Sequence, residues 1–162
     1  MRRKDREITD INGKLSIIDQ CKVCRLGLCD NNFPYIVPLN YGYTFENEQL
    51  TLYFHSAAEG RKIEIIHNNN NACFEIDCDT RLIEGEKACN YSYEFKSIIG
   101  FGKIIFIEND NKKASGLNHI MKHQTGKDNE YNFTEDELNS VCIYKLVVDE
   151  FTGKQKIVMN RS

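Results

Sequence analysis

Runs of period-two hydrophobic alternation follow one another along this chain with only short polar breaks between them. That succession constrains the fold more than any other feature. In 50–55, Leu50, Leu52 and Phe54 fall on one face and Thr51, Tyr53 and His55 on the other, as in a strand buried on one side. The same period marks 23–29, with Cys24, Leu26 and Leu28 on one face. It marks 72–78 as well, with Ala72, Phe74, Ile76 and Cys78 opposite Cys73, Glu75 and Asp77. Residues 35–43 read as the hairpin partner of 23–29 across the turn cluster Asp30-Asn31-Asn32, and 46–49 as the next turn. Three antiparallel strands in succession form a meander. Pro38 cannot donate to a ladder, so its strand lies at an edge, carries a bulge or faces a ligand there.

Helical spacing is confined to short intervals. Residues 9–21 place Ile11, Leu15 and Ile18 on one stripe behind the capping candidates Thr9, Asp10 and Asn12. A second helix carries Ile63 and Ile66 and ends at the run 68–71, because asparagine tolerates turn and left-handed geometry. The stretch 82–88 reads as a loop. The stretch 91–107 is too long for one average strand. Either Gly100 and Gly102 bend it before 104–107, or it is one long bent barrel strand. Asn109 or Asp110 caps a third helix bearing Leu117, Ile120 and Met121, and Thr134-Glu135-Asp136-Glu137 is a capping box before a short one. A final strand spans 141–148, then a turn around Gly153 and a polar tail. This order is not βαβ alternation. It predicts a mainly-β fold, an antiparallel sheet curled into a barrel with peripheral helices. The length, 162 residues with 41% hydrophobic, predicts a single domain over 1–162.

The junction at 56–62 is electrostatically unusual. Ser56-Ala57-Ala58-Glu59 fits a capping box, and Arg61 and Lys62 then fall in the first helical turn. A helix N-terminus already carries partial positive charge, so two cations there make sense if an anion sits over it, a phosphate above all. The plainer alternative is a strand-to-helix turn with two solvated basic side chains.

A net charge of −3 argues against non-specific nucleic-acid binding. No apolar run approaches membrane-spanning length, and the charged N-terminus lacks the apolar core of a signal peptide, which predicts a cytoplasmic protein. The seven cysteines are then expected to be reduced. Cys21 and Cys24 form a C-x-x-C without a second pair at matching spacing, so core packing is expected and no metal site. His119 and His123, four apart with no third ligand evident, are expected on a solvated helix face.

The segments Pro34-Tyr35-Ile36-Val37-Pro38-Leu39-Asn40-Tyr41, Tyr53-Phe54-His55-Ser56, Gly60-Arg61-Lys62 and Tyr93-Glu94-Phe95-Lys96-Ser97-Ile98-Ile99-Gly100-Phe101-Gly102 appear in this order. Together they resemble the pyridoxamine-phosphate-oxidase-like split barrels that bind FMN, and within them the nitroimidazole-resistance (Nim-type) flavoproteins. The resemblance implies an antiparallel split β-barrel with FMN as cofactor. It implies that the backbone at Val37, Pro38, Leu39, Asn40 and Tyr41 passes along the isoalloxazine ring. His55 and Ser56 would lie by the ribityl chain and ring edge, Arg61 and Lys62 would bind the phosphate, and Ser97 would contact the cofactor. It further implies a homodimer with FMN in the subunit interface. Ile36 stands where the oxidases place an arginine, and the chain has no tryptophan for their C-terminal substrate motif, so pyridoxamine-phosphate oxidation is not expected.

His55 is the candidate catalytic residue, as a proton donor to a reduced substrate or as a cofactor ligand without chemistry of its own. The expected function is an FMN-dependent oxidoreductase of nitroreductase type. It would accept a hydride from a reduced nicotinamide or other donor and pass electrons to a small oxidised substrate such as a nitroimidazole. The alternative is a non-enzymatic FMN or haem carrier, or a redox sensor, on the same barrel.

Overall fold

The computed structural model describes residues 3–157; the first two residues and 158–162, the end of the polar tail, lie outside them. The elements are β1 (Glu7–Ile8), α1 (Ile11–Gln20), β2 (Val23–Asp30), β3 (Phe33–Asn40), β4 (Gly42–Glu46), β5 (Gln49–Ser56) and α2 (Arg61–Asn68). Then come β6 (Asn71–Ile83), β7 (Ser92–Phe106), α3 (Asp110–Thr125), α4 (Glu135–Asn139) and β8 (Cys142–Lys156). The sheet runs β3-β2-β6-β7-β8-β5-β4, with β1 added to β8, and every pairing is antiparallel.

The two edge strands, β3 and β4, are neighbours in sequence, joined by Tyr41 alone. Two residues flanking a single linker are at most about 7 Å apart, so the sheet must curl until its edges nearly meet. They do not pair, and the barrel stays split along that line. This corrects two expectations. Residues 35–43 are not one strand, because the chain changes edges at Tyr41. The three-strand meander is two hairpins, β2–β3 and β4–β5. Asn31 and Asn32 (φ 47° and 72°) and Asn47 and Glu48 (φ 50° and 63°) make their two-residue turns with left-handed backbone.

The predicted alternation sets the interior. Leu26, Leu50, Leu52, Phe54, Phe74, Ile76, Ile98, Tyr144 and Leu146 are almost wholly enclosed. The stretch 91–107 is one long strand with a register shift between Phe101 and Gly102, and β6 shifts between Cys78 and Arg81. Two predicted breaks are strand instead. Residues 82–83 continue β6, and 149–154 continue β8, where Gly153 lets Ile8 pack against the strand; a Cβ there would meet Ile8 at 3.1 Å.

Pro38 does lie on an edge strand. In the β2–β3 hairpin Asp30 pairs with Phe33 next to the turn, so hydrogen-bonded and non-bonded pairs alternate from there. Pro34 and Pro38, opposite Cys29 and Arg25, occupy non-bonded positions whose nitrogens face the open edge. No helix among the described residues is long and apolar enough to cross a membrane.

Candidate functional site

The site begins where β5 ends. His55 and Ser56 are its last residues, paired with Ile143 and Cys142 of β8. The predicted capping box does not form. Ser56 is still in the strand, and its Oγ donates to the Ala57 carbonyl at 2.9 Å. The helix starts later, at Arg61, with Gly60 as N-cap at φ 126° and no side chain capping it. Only the N–H groups of Ile63 and Glu64 turn back, to the Gly60 carbonyl at 2.9 and 3.2 Å. A Cβ on Gly60 would have nothing within 4 Å, so the space over this helix end is open.

Arg61 and Lys62 are the first two helical residues, as the sequence predicts. The Arg61 guanidinium lies 5.0 Å over the Tyr35 ring and donates to Asp30 Oδ2 at 3.2 Å. Both partners of that ion pair are solvent-exposed enough to make it weak. Lys62 has no acidic partner among the described residues. It lies beside Cys142, whose thiol is pushed up by burial while Lys62 and Lys113 pull it down. Ser56 and Lys62 therefore converge on Cys142 from the strand and from the helix. An uncapped helix start, an ammonium with no acidic partner among the described residues, a weakly paired guanidinium and a nearby hydroxyl around open space fit a phosphate.

The other predicted residues are distributed along two strands. Val37 and Leu39 are half-buried against the core, while Pro38 and Asn40 face outward on β3. Asn40 Nδ2 donates to the Lys22 carbonyl (3.0 Å) and to Gln124 Oε1 (3.1 Å). Tyr41 is fully buried, with its hydroxyl donating to the carbonyls of Ile18 and Cys21 (2.6 and 3.0 Å). Its ring is thus a core element, and its carbonyl accepts from Gln124 Nε2 at 2.9 Å. Ser97 stands apart. It pairs with Asp77 and Lys154, eleven positions along β8 from Ile143, the partner of His55. At about 3.3 Å per residue that is roughly 35 Å along the strand. One chain does not bring Ser97 to His55.

Ser97 shares the outer sheet face with Ile99 and Phe101. Across the register Phe101 is followed by Cys73, Gly27 and Ile36, and Ile99 by Glu75, Arg25 and Pro38. Ile36 is 67% exposed, with Phe101 and Ile99 also open. Arg25, bonded to both Glu75 and Asp77, is the charged element beside this apolar row.

The expected solvated face at His119 and His123 is overturned. Both turn toward the sheet. His123 is 6% exposed between Tyr41 and Tyr43, and His119 lies against Tyr53. His123 Nε2 meets the Cys21 carbonyl at 2.8 Å, which requires the Nε2–H tautomer and leaves Nδ1 without a partner. Burial, and secondarily Lys22, lower its pKa to about 4. A cavity of about 770 Å³ lies over α3, lined by Ser115, His119, Lys122, Asp128 and Tyr131 among others, away from α2. Cys21 and Cys24 are buried. Sequence reasoning missed Asp30 and Tyr35, which hold Arg61, and Tyr144, a buried hydroxyl beside Ser56. The alternation of β8 signals that Tyr144 points inward but not what it meets.

Residues 14–155 match the model of the family described as pyridoxamine 5'-phosphate oxidase. A candidate 5-nitroimidazole antibiotic resistance protein from Bacteroides thetaiotaomicron VPI-5482 is similar at 36% identity, over 92% of this chain and 86% of that one, with a TM-score of 0.79. The flavocytochrome Anf3 from Azotobacter vinelandii superposes with a TM-score of 0.79 at 17% identity, over 98% of this chain and 72% of that one. The FAD and heme binding protein from Mycobacterium smegmatis does so with 0.82 at 14% identity, over 97% and 76%. At such identities these two speak for the fold alone. No curated protein sequence matches the chain.

Proposed function

The chain belongs to the pyridoxamine 5'-phosphate oxidase family, and on that premise we propose that it is an FMN-binding flavoprotein reductase, active as a homodimer on a small oxidised substrate such as a nitroimidazole or another nitro-aromatic. The observation that carries the reading is the start of α2, uncapped, open at Gly60 and flanked by a lysine with no acidic partner among the described residues. The substrate class is supported by the 36% identity to the Bacteroides protein.

When bound, FMN supplies the redox chemistry, taking a hydride from a reduced nicotinamide and passing electrons on. The chain's own residues bind and orient it. Lys62 and Arg61 neutralise the phosphate, and the first N–H groups of α2 donate to its oxygens. The edge strand from Val37 to Asn40, with the Tyr41 backbone that follows it, would lie along the ring. His55, exposed one residue before Ser56, donates a proton to the reduced substrate or a hydrogen bond to the cofactor. The apolar row from Ile36 to Phe101 supports the homodimer, because burying it against a second copy removes exposed apolar surface. Ser97 on that face would reach the cofactor held by the partner chain.

The purified protein mixed with FMN or FAD and then desalted should retain the visible absorbance of FMN in preference to FAD. Loss of both flavins on desalting would sink the proposal. Steady-state turnover with NADH or NADPH and a nitroimidazole separates a reductase from a carrier. A retained flavin that no donor reduces would make the protein a carrier.

A further inference from the structure

Tyr144 is fully enclosed in the barrel, and its hydroxyl has no hydrogen-bond partner among the described residues. Such a group costs free energy that a phenylalanine at the same place would not. Its ring is packed for a phenylalanine, stacked on Phe54 at 5.6 Å and edge-on to Phe106 at 6.0 Å. The register shows what the hydroxyl is near. Phe54 pairs with Tyr144 and Ser56 with Cys142, so Ser56 is the diagonal neighbour of Tyr144 on the same inner face. Burial drives the phenol pKa up, and the Ser56 hydroxyl is the group that opposes it. The two hydroxyls are neighbours that do not meet full hydrogen-bond geometry, and Ser56 Oγ gives its proton to the carbonyl of exposed Ala57.

We propose that Tyr144 is a positioning residue for the anion site at the start of α2, holding Ser56 in a relay that forms when a phosphate binds. This rests on the reading of that helix end as the flavin-phosphate site. Ser56 turns its proton from the Ala57 carbonyl to a phosphate oxygen, and Tyr144 O–H then donates to Ser56 Oγ. Tyr144 gives one proton, Ser56 gives one and accepts one, and no covalent bond changes. Ala57 is exposed, so water replaces the donor its carbonyl loses. The Tyr144 hydroxyl, unpaired by any described residue, gains its partner when the phosphate binds. That arrangement sacrifices stability of the free protein for preference toward a phosphorylated ligand.

The test compares FMN with riboflavin, which lacks the phosphate, on wild type, Tyr144→Phe, Ser56→Ala and the double variant, with thermal melting of each unliganded protein. Tyr144→Phe should melt at or above wild type and bind FMN about three- to tenfold more weakly, the span of one neutral hydrogen bond. Its riboflavin affinity should be unchanged, and adding it to Ser56→Ala should weaken FMN no further. Unchanged FMN affinity in Tyr144→Phe, equal losses for both flavins, or additive losses in the double variant would each overturn the relay. A wild type that fails to prefer FMN over riboflavin overturns the phosphate site itself, and the relay with it.

Discussion

Helices α2 and α3 start in opposite ways. At α3 the Asn109 side chain accepts from the Lys112 N–H, and the helix ends at Gly126 in the left-handed region. Its flank is tied down: Gln124 bonds the Lys22 and Tyr41 carbonyls, Asn118 brackets Tyr131, and His123 holds the Cys21 carbonyl. Asp10 caps α1, and Thr134 with Glu137 completes a capping box on α4. Among the four described α-helices α2 alone has no side-chain cap. A cap stabilises a helix by occupying its free N–H groups, and by that act closes them to a ligand. The capped region is built to hold the barrel together. The uncapped one keeps donors available, and a ligand there should return the stability that the missing cap withholds.

The largest effect expected from this contrast is on Arg61 and Lys62. Replacing both with Ala should weaken FMN about a hundredfold, from losing charge-assisted bonds to phosphate, and leave unliganded melting nearly unchanged. Equal FMN binding by fluorescence titration would show that α2 is not an anion site. Next is the pH response of the closed region. His123 has a folded pKa of about 4 against an ordinary 6.5, through burial first and Lys22 second, with Asp19 opposing. Its contribution is full above pH 6.5 and lost as pH falls toward 4, roughly 2 kcal/mol by pH 5. Urea unfolding at pH 7 and pH 5 measures this, and His123→Gln should flatten the dependence. Asn109→Ala should cost about 1 kcal/mol, a melting shift of about 3 °C, with no change in flavin affinity. A flavin effect there would erase the distinction between the regions. The smallest effect is Asp30→Asn, which frees Arg61 from an exposed ion pair and should tighten FMN by at most about threefold. Weaker binding would mean that Asp30 helps to hold the cofactor.

Much of this was legible from local pattern. The alternation of Leu50, Leu52 and Phe54, the cap at Asn109 and the box at Thr134 are encoded within a few residues, and the structure keeps them. What failed depended on distant partners. The alternation of 35–43 runs unbroken through Tyr41, but which edge each half joins is decided by β2 and β5. Ser56 and Glu59 have capping-box spacing, yet the ladder to Cys142 holds Ser56 in the strand. Gly153 reads as a turn until Ile8 needs its space. His119 and His123 look polar at helical spacing, and only the sheet beneath α3 buries them. At the site, the two cations were legible because their placement defies the helix dipole. The orphan hydroxyl of Tyr144 was not, since lacking a partner is a property of three-dimensional packing.

The two prolines of β3 have a consequence for the life of the protein in a crowded solution. A free strand edge is a template on which another chain can lay a strand and begin an aggregate. Along the open side of β3, the alternating positions are Pro34, Ile36, Pro38 and Asn40, and two of these four lack an N–H. An incoming strand would find every other donor missing and could not zip along the edge. The split in the barrel can therefore stay unsealed without becoming sticky.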